Sequence, residues 1–284
     1  MNFRYFYHNH IKPMIPDKFF VKRLYENKTG KKLNLKNPET FNEKIQWMKI
    51  NYRNDLLTTC VDKYKVRTII ENRLDSNILN ELYGVYNSIN EIDIDNLPNE
   101  FVMKTTAGWG DIIICRDKSN FNWNKEKSKI ENSLNSNNYE IGREWAYKNV
   151  NNKIIVEKLL LDNQEIPNDY KFFCFNGKVE YIQVDSDRFS EHKRNLYDVE
   201  WNLLNVKYKY PNIIEKISKP INLDRMIEIS KKLSEGFPFV RVDLYSLDTE
   251  IIFGELTFYP ESGMGNFVPE EYDLKIGSHL KLDI

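Results

Sequence analysis

The sequence predicts an α+β protein, with a helical N-terminal region followed by a β-rich remainder. Three observations lead there. Residues 1 to about 95 place apolar residues at helical spacing between prolines, and from Leu97 onward short apolar runs are separated by Gly, Asn and Asp. An Asn-Gly turn, Asn176-Gly177, joins two alternating strands. At 284 residues the chain exceeds the usual single domain, so one large or two to three small lobes are expected. Hydrophobic residues at 41% and charged residues at 29% exclude a disordered or fibrous chain.

The formal net charge of -1 gives no overall pull toward nucleic acid. Residues 1–36, however, hold nine Lys or Arg against Asp17 and Glu26, interleaved with aromatic residues. No apolar run of about 18 residues occurs, and the first residues are polar and basic where a signal peptide is apolar, so a cytoplasmic location is expected. Cys60, Cys115 and Cys174 form no CxxC, and His8, His10, His192 and His279 are scattered, so neither a disulfide framework nor a zinc site is indicated.

In order, Pro16-Asp17 opens a helix that Thr29-Gly30 closes. Thr40, with Glu43 three residues later, is a capping box ahead of a helix whose apolar face is Phe41, Ile45 and Met48. Residues 60–67 read as charged helix continuing into Ile69 and Ile70, in a region better suited to a support layer than to a core of its own. A strand ending in Lys104 precedes Thr105-Thr106-Ala107-Gly108-Trp109-Gly110 and a second strand over 111–115. Small residues there leave backbone N–H groups free to face an anion, with a plain hairpin as the alternative. Residues 153–157 form a buried strand ending in Glu157. Asp169, Lys171 and Phe173 share one strand face, as a surface ion pair or part of a site. Arg188 and Arg194 fall in the loop after this hairpin, and residues 219–236 form one amphipathic helix with Asn222 as cap candidate.

The stretch 239–265 reads as two strands around a polar turn. Arg241, Asp243 and Tyr245 share one face of the first, and Phe253, Glu255 and Thr257 one face of the second. A connection with an odd number of residues, such as Asp248-Thr249-Glu250, pairs 243 with 255 and projects both carboxylates together; an even one sends them to opposite faces. Two carboxylates that close favour a hard cation such as Mg2+ between them, the alternative being an ordinary half-solvated hairpin.

Read together, NPETFNEKIQW (37–47), VDKYKVR (61–67), FVMKTTAGWG (101–110), IIVEKLL (154–160), DYKFFCFNGK (169–178) and VRVDLYSLDTEIIFGELTFYPESGMG (240–265) resemble the ATP-grasp superfamily, most closely its TupA-like branch of teichuronopeptide and capsular polysaccharide synthesis. The resemblance implies an ATP-grasp fold: two α+β lobes gripping ATP, with residues 1–95 as a helical region, 96–160 as the first lobe with a phosphate flap, and 161–284 as the second lobe with the metal site. It makes Lys104 a phosphate-contacting lysine and residues 105–110, including Thr105, Thr106, Gly108 and Gly110, the flap. Glu157 and Leu159 fall at the hinge that grips adenine, Asp169 or Glu165 at the ribose, and Lys171 near adenine or phosphate. Arg241 matches the arginine that steadies the transferring phosphoryl group or the tetrahedral intermediate, and Asp243 and Glu255 the Mg2+ ligands. Arg188 and Arg194 are further catalytic candidates on their own chemistry, since Arg suits bidentate holding of phosphate or carboxylate, with solvated loop arginines as the alternative. Many ATP-grasp ligases carry Asn where this chain has Thr257, a weaker ligand.

The implied chemistry is ATP- and Mg2+-dependent joining of a carboxylate to an amine through an acyl phosphate. The carboxylate belongs to a uronate-type sugar, polysaccharide or precursor, and the amine is small or an amino acid. Other classes left open are a phosphotransferase or glycosyltransferase-like enzyme and a non-catalytic nucleotide-binding assembly protein. Residues 1–36 are expected either to steer an anionic acceptor or to dock on the inner membrane face, with a solvated helical tail as the alternative.

Overall fold

The structure, a computed structural model, describes residues 12–282 apart from 75–76, 109–111, 188–190 and 249. The N-terminal part is helical. Asp17–Thr29 ends at Gly30, whose φ of 73° supplies the left-handed cap, and Phe41–Asn51 begins at Thr40 with both arms of the capping box formed to Glu43. The charged helix expected through 60–67 is broken instead into Leu56–Val61 and Val66–Arg73. Asp62 is the cause: its Oδ1 accepts from the backbone N–H groups of Tyr64 and Lys65, a turn that competes with the helix. These helices do not stand alone. Phe41 packs its ring on Phe173, Phe175 and Phe239 of the second lobe, at centroid distances of 5.9, 6.2 and 5.1 Å.

The first lobe is an antiparallel sheet of β1 (Leu82–Tyr86), β2 (Phe101–Thr105), β3 (Ile112–Cys115) and β4 (Ile154–Glu157), in the order β1-β4-β2-β3. β1 comes from the segment expected to be mainly helical. β4 lies inside the sheet and is buried along its length, which accounts for its unbroken apolar run. The helix Trp123–Leu134 covers one face, placing Ile130 in a core with Met103, Ile113 and Val156.

The second lobe holds β5 (Asp169–Phe175), β6 (Lys178–Ser186), β7 (Lys193–Tyr197), the short β8 (Lys207–Tyr208), β9 (Phe239–Leu247), β10 (Glu250–Thr257) and the short β11 (Phe267–Val268). Its main sheet has the order β10-β9-β5-β6-β7, and β8 pairs with β11. Asn176 at φ 49° and Gly177 at φ 79° make the tight β5–β6 turn. The helix Leu223–Ser234 buries Met226, Ile229 and Leu233 on this lobe. Asn222 does not cap it by side chain; its amide donates to Ser246 Oγ and the Asp248 carbonyl.

The β9–β10 hairpin differs from expectation in its route and agrees in its result. Leu247 pairs with Glu250, so the connection has an even number of residues, and a regular ladder would put Asp243 opposite residue 254. A β-bulge between Phe253 and Glu255 takes up the extra residue, Gly254, and Glu255 lands opposite Asp243, with Thr257 opposite Arg241. Phe253, ahead of the bulge, keeps the regular register opposite Leu244 and is largely buried, so it and Glu255 do not alternate as one regular strand face.

Candidate active site

The two sheets meet at a cleft whose polar lining includes Lys63, Lys104, Glu157, Asp169, Lys171, Asp243 and Glu255, and whose apolar lining includes Val102, Ile114, Leu159, Leu160, Ile166 and Phe253. β2 and β4 bring Lys104 diagonally next to Glu157, and their side chains meet at 2.7 Å; Arg67 Nη1 lies 3.5 Å from the same carboxylate. On the facing sheet Lys171 is directly opposite Asp243. Its Nζ donates to Asp243 Oδ2 at 2.8 Å and lies 3.3 Å from Asp169 and 3.9 Å from Asp185.

Arg241 closes on Asp243 through two parallel bonds, Nε to Oδ1 at 2.7 Å and Nη2 to Oδ2 at 2.6 Å. The same Nη2 reaches Glu255 at 3.4 Å and donates to Thr257 Oγ1 at 3.1 Å, and the Thr257 hydroxyl donates to Glu255 at 2.8 Å. Burial alone would raise the Glu255 pKa, but Lys63, then Arg241 and Lys171, outweigh it and hold this carboxyl well below its ordinary range.

Sequence reasoning gave Lys63 no role. Its Nζ donates to the Gly108 carbonyl at 2.8 Å and lies 3.3 Å from Glu255, while its backbone N–H donates to the Thr106 carbonyl at 2.9 Å. One residue of the helical region thus ties the small-residue loop to the carboxylate hairpin. The motif VDKYKVR was the available signal, but only the turn at Asp62 aims the side chain.

Other expected site residues fall elsewhere. Thr105 and Thr106 are buried, with their hydroxyls bonded to Ser133 and Asn152 and not lining the cleft. Glu165 is exposed in a turn bridged to Asp162, whereas Asp169 lines the cleft. Arg194 is not in a loop. It stands in β7 directly opposite Asp185, 3% exposed, with Nε and Nη2 on Asp185 at 2.6 and 3.0 Å and Nη1 on Glu261 at 2.8 Å. All three of its nitrogens are bonded to these carboxylates, and Asp185 in turn lies 3.9 Å from the Lys171 ammonium. Burial opposes ionisation of Asp185, yet the His192 contact and the charges of Arg194 and Lys171 hold its pKa well below the usual value. Arg188 and Gly110 lie outside the described residues.

The turn that follows the hairpin is held in a strained shape. Glu261 and Ser262 have φ of 49° and 54°, a left-handed conformation uncommon for such residues. Gln46 Nε2 donates to the carbonyls of Ser262 and Gly263 at 2.8 and 2.7 Å, and the buried Lys49 donates to the Ser262 carbonyl and hydroxyl at 2.8 and 2.7 Å. Burial pushes Lys49 down to about 8. The helix Phe41–Asn51 therefore fixes the backbone that aims Glu261 at Arg194.

Among the described residues no three or more His, Cys, Asp and Glu side chains converge on a metal position. Asp243, Glu255 and Thr257 nonetheless offer oxygen donors from one face of the hairpin, a set that fits Mg2+, which is commonly held by one or two carboxylates together with substrate phosphates. Asp243 accepts from Arg241 and Lys171 on both oxygens, so holding a cation requires one of these donors to turn aside.

Two antiparallel sheets closing on such a cleft make up the ATP-grasp fold. The chain belongs to the TupA-like ATPgrasp family, whose model matches residues 43–281. No curated protein matches it. Among solved structures it is similar to a D-alanine–D-alanine ligase from Bacillus anthracis complexed with ATP, at 15% identity and a TM-score of 0.42 over 72% of this chain and 55% of that one. It is also similar to the ATP-grasp ligase PsnB complexed with a minimal precursor, at 10% identity and a TM-score of 0.39 over 76% and 58%. A third is an ADP complex of N5-carboxyaminoimidazole ribonucleotide synthetase, at 14% identity and a TM-score of 0.40 over 76% and 50%. The chain spans between about half and three fifths of the length of these proteins.

Proposed function

We propose that this protein is an ATP- and Mg2+-dependent ligase that amidates a uronate-type group of a cell-surface polysaccharide or its precursor. The observation that carries this reading is the convergence of Lys63, Lys104 and Lys171 with Asp243 and Glu255 in one cleft, with Arg241 bonded to Asp243 behind it, in a chain of the TupA-like ATPgrasp family. A carboxylate is a poor acylating agent because its leaving group would be oxide. In the proposed reaction a carboxylate oxygen attacks the γ-phosphorus of ATP, the bond to the ADP oxygen breaks, and an acyl phosphate forms. The amine nitrogen then attacks the acyl carbon, phosphate leaves with the C–O electron pair, and the nitrogen gives up a proton.

Lys63, Lys104, Lys171 and Arg241 would offset charge on the phosphates, the Gly108 loop would cover them, and the backbone of Glu157 to Leu159 would read adenine against the apolar lining. Asp169, which lines the cleft, suits the ribose hydroxyls better than the exposed Glu165. Asp243 and Glu255, with Thr257 beside them, would hold a Mg2+ that draws charge off the phosphate oxygens. No nucleophilic side chain and no nucleic acid is required. The protein would act in the cytoplasm, with its basic N-terminal segment bringing it to the inner membrane face; among the described residues no helix is long and apolar enough to cross a membrane.

The test is ADP release against a matrix of uronic acid derivatives and amines, with product analysis. ADP, phosphate and an amide are expected. ADP with a phosphorylated sugar would make the protein a phosphotransferase, and no nucleotide turnover with any pair would leave a nucleotide-binding assembly protein.

A further inference from the structure

The N-terminal helix presents a face that neither the cleft nor the core uses. In Asp17–Thr29, Val21 and Tyr25 are buried, while Lys18, Phe19, Lys22 and Arg23 are exposed, and steps of three and four residues put these four on one side. Phe19 is 65% exposed, and Met14, just ahead of the helix, 82%. The exposed Lys28, Lys32 and Lys36 continue the charge. Residues 12–37 contain two acids: Glu26 is half-buried, and Asp17 is turned inward, accepting from Tyr139 at 2.8 Å with Arg143 at 3.3 Å. In a chain of net charge -1, positive charge is therefore gathered at one end around two unshielded apolar side chains.

We propose that this face lies on an anionic lipid bilayer, with Lys18, Lys22 and Arg23 at the level of the headgroups and Phe19 and Met14 in the interface. The proposal rests on the reading above for its place at the inner membrane face, while the surface itself is independent of the cleft. A soluble anionic saccharide would satisfy the cations but leave Phe19 and Met14 in water; an anionic bilayer takes up both.

The test is sedimentation of the full chain with vesicles of phosphatidylglycerol and phosphatidylcholine, and of phosphatidylcholine alone, over a salt series. Binding to the anionic vesicles only, weakened by salt, is expected. Lys22→Glu with Arg23→Glu should weaken it at least about tenfold, and Phe19→Ser several-fold at unchanged charge. These side chains are exposed, so melting should stay at the wild-type temperature. No binding to anionic vesicles overturns the proposal. So does binding that Phe19→Ser leaves unchanged, which would reduce the contact to surface charge alone, with no side chain in the interface. ADP release by the wild-type protein without vesicles reports separately on the ligase reading.

Discussion

Lys63 touches the small-residue loop through the Gly108 carbonyl and the hairpin through Glu255, so one ammonium sits where that loop and the carboxylate hairpin meet. Its alternative, a structural tether, is weak energetically: about a third of the Glu255 side chain is exposed, and pairs of that kind contribute about 0–1 kcal/mol. A charge facing a transferring phosphoryl group is worth far more. Lys63→Met is expected to lower kcat/KM for ATP by about 10²-fold with little change in melting temperature. ADP-release kinetics beside a thermal melt check this, and joint loss of fold and activity would place Lys63 in the scaffold. Arg194 is the contrasting residue. A guanidinium engaged by Asp185 and Glu261 on three nitrogens is a buried strut, and its position in the sequence, next to Lys193 and well after an Asn-Gly turn, gave no sign of either partner.

At the level of elements, the hairpin β9–β10 depends on one residue more than its alternation reveals. A Cβ on Gly254 would come within 3.0 Å of the Asp243 carbonyl oxygen, so Gly254→Val should overpack the bulge, at a cost of about 1–3 kcal/mol, and pull Glu255 away from Asp243. A lower melting temperature together with a disproportionate fall in ADP release is the expected outcome; wild-type values for both would show that the bulge tolerates a side chain. The helix Phe41–Asn51, the Asn-Gly hairpin and both strands of β9–β10 were legible because capping, turn chemistry and period-two alternation are local. The bulge was not, since the parity argument assumed a regular ladder. β7 was hidden because Lys193 and Arg194 make it read as a charged loop, and the carboxylate that buries Arg194 lies on a neighbouring strand. The break at Asp62 was missed because a side chain bonding two residues ahead leaves the helical spacing of the flanking residues unchanged.

For the whole molecule, fixed charges join the parts of the chain. Lys63 links the helical region to the second lobe, Lys104 and Arg67 meet Glu157 in the first, and Arg194 holds Asp185 and Glu261 together. Asp185, Glu255 and Glu261 are all held below the ordinary carboxylate range against the effect of burial, Asp185 by the His192 contact and the charges of Arg194 and Lys171, the other two chiefly by neighbouring cations. A carboxyl with a lowered folded pKa stabilises the fold fully above its unfolded value, near 4, and loses that contribution as pH falls through the folded value. Melting temperature should therefore be level near neutrality and drop steeply below about pH 5; a constant value down to pH 3 would contradict this. That Asp243 and Glu255 seat a Mg2+ in an ATP site is tested most directly by ADP release across a Mg2+ series for the wild type and Glu255→Gln, whose partial exposure should keep the fold intact. A Mg2+-dependent wild type and a loss of about 10²-fold or more in the variant at wild-type melting temperature is the predicted result; equal turnover with the same Mg2+ dependence would contradict it.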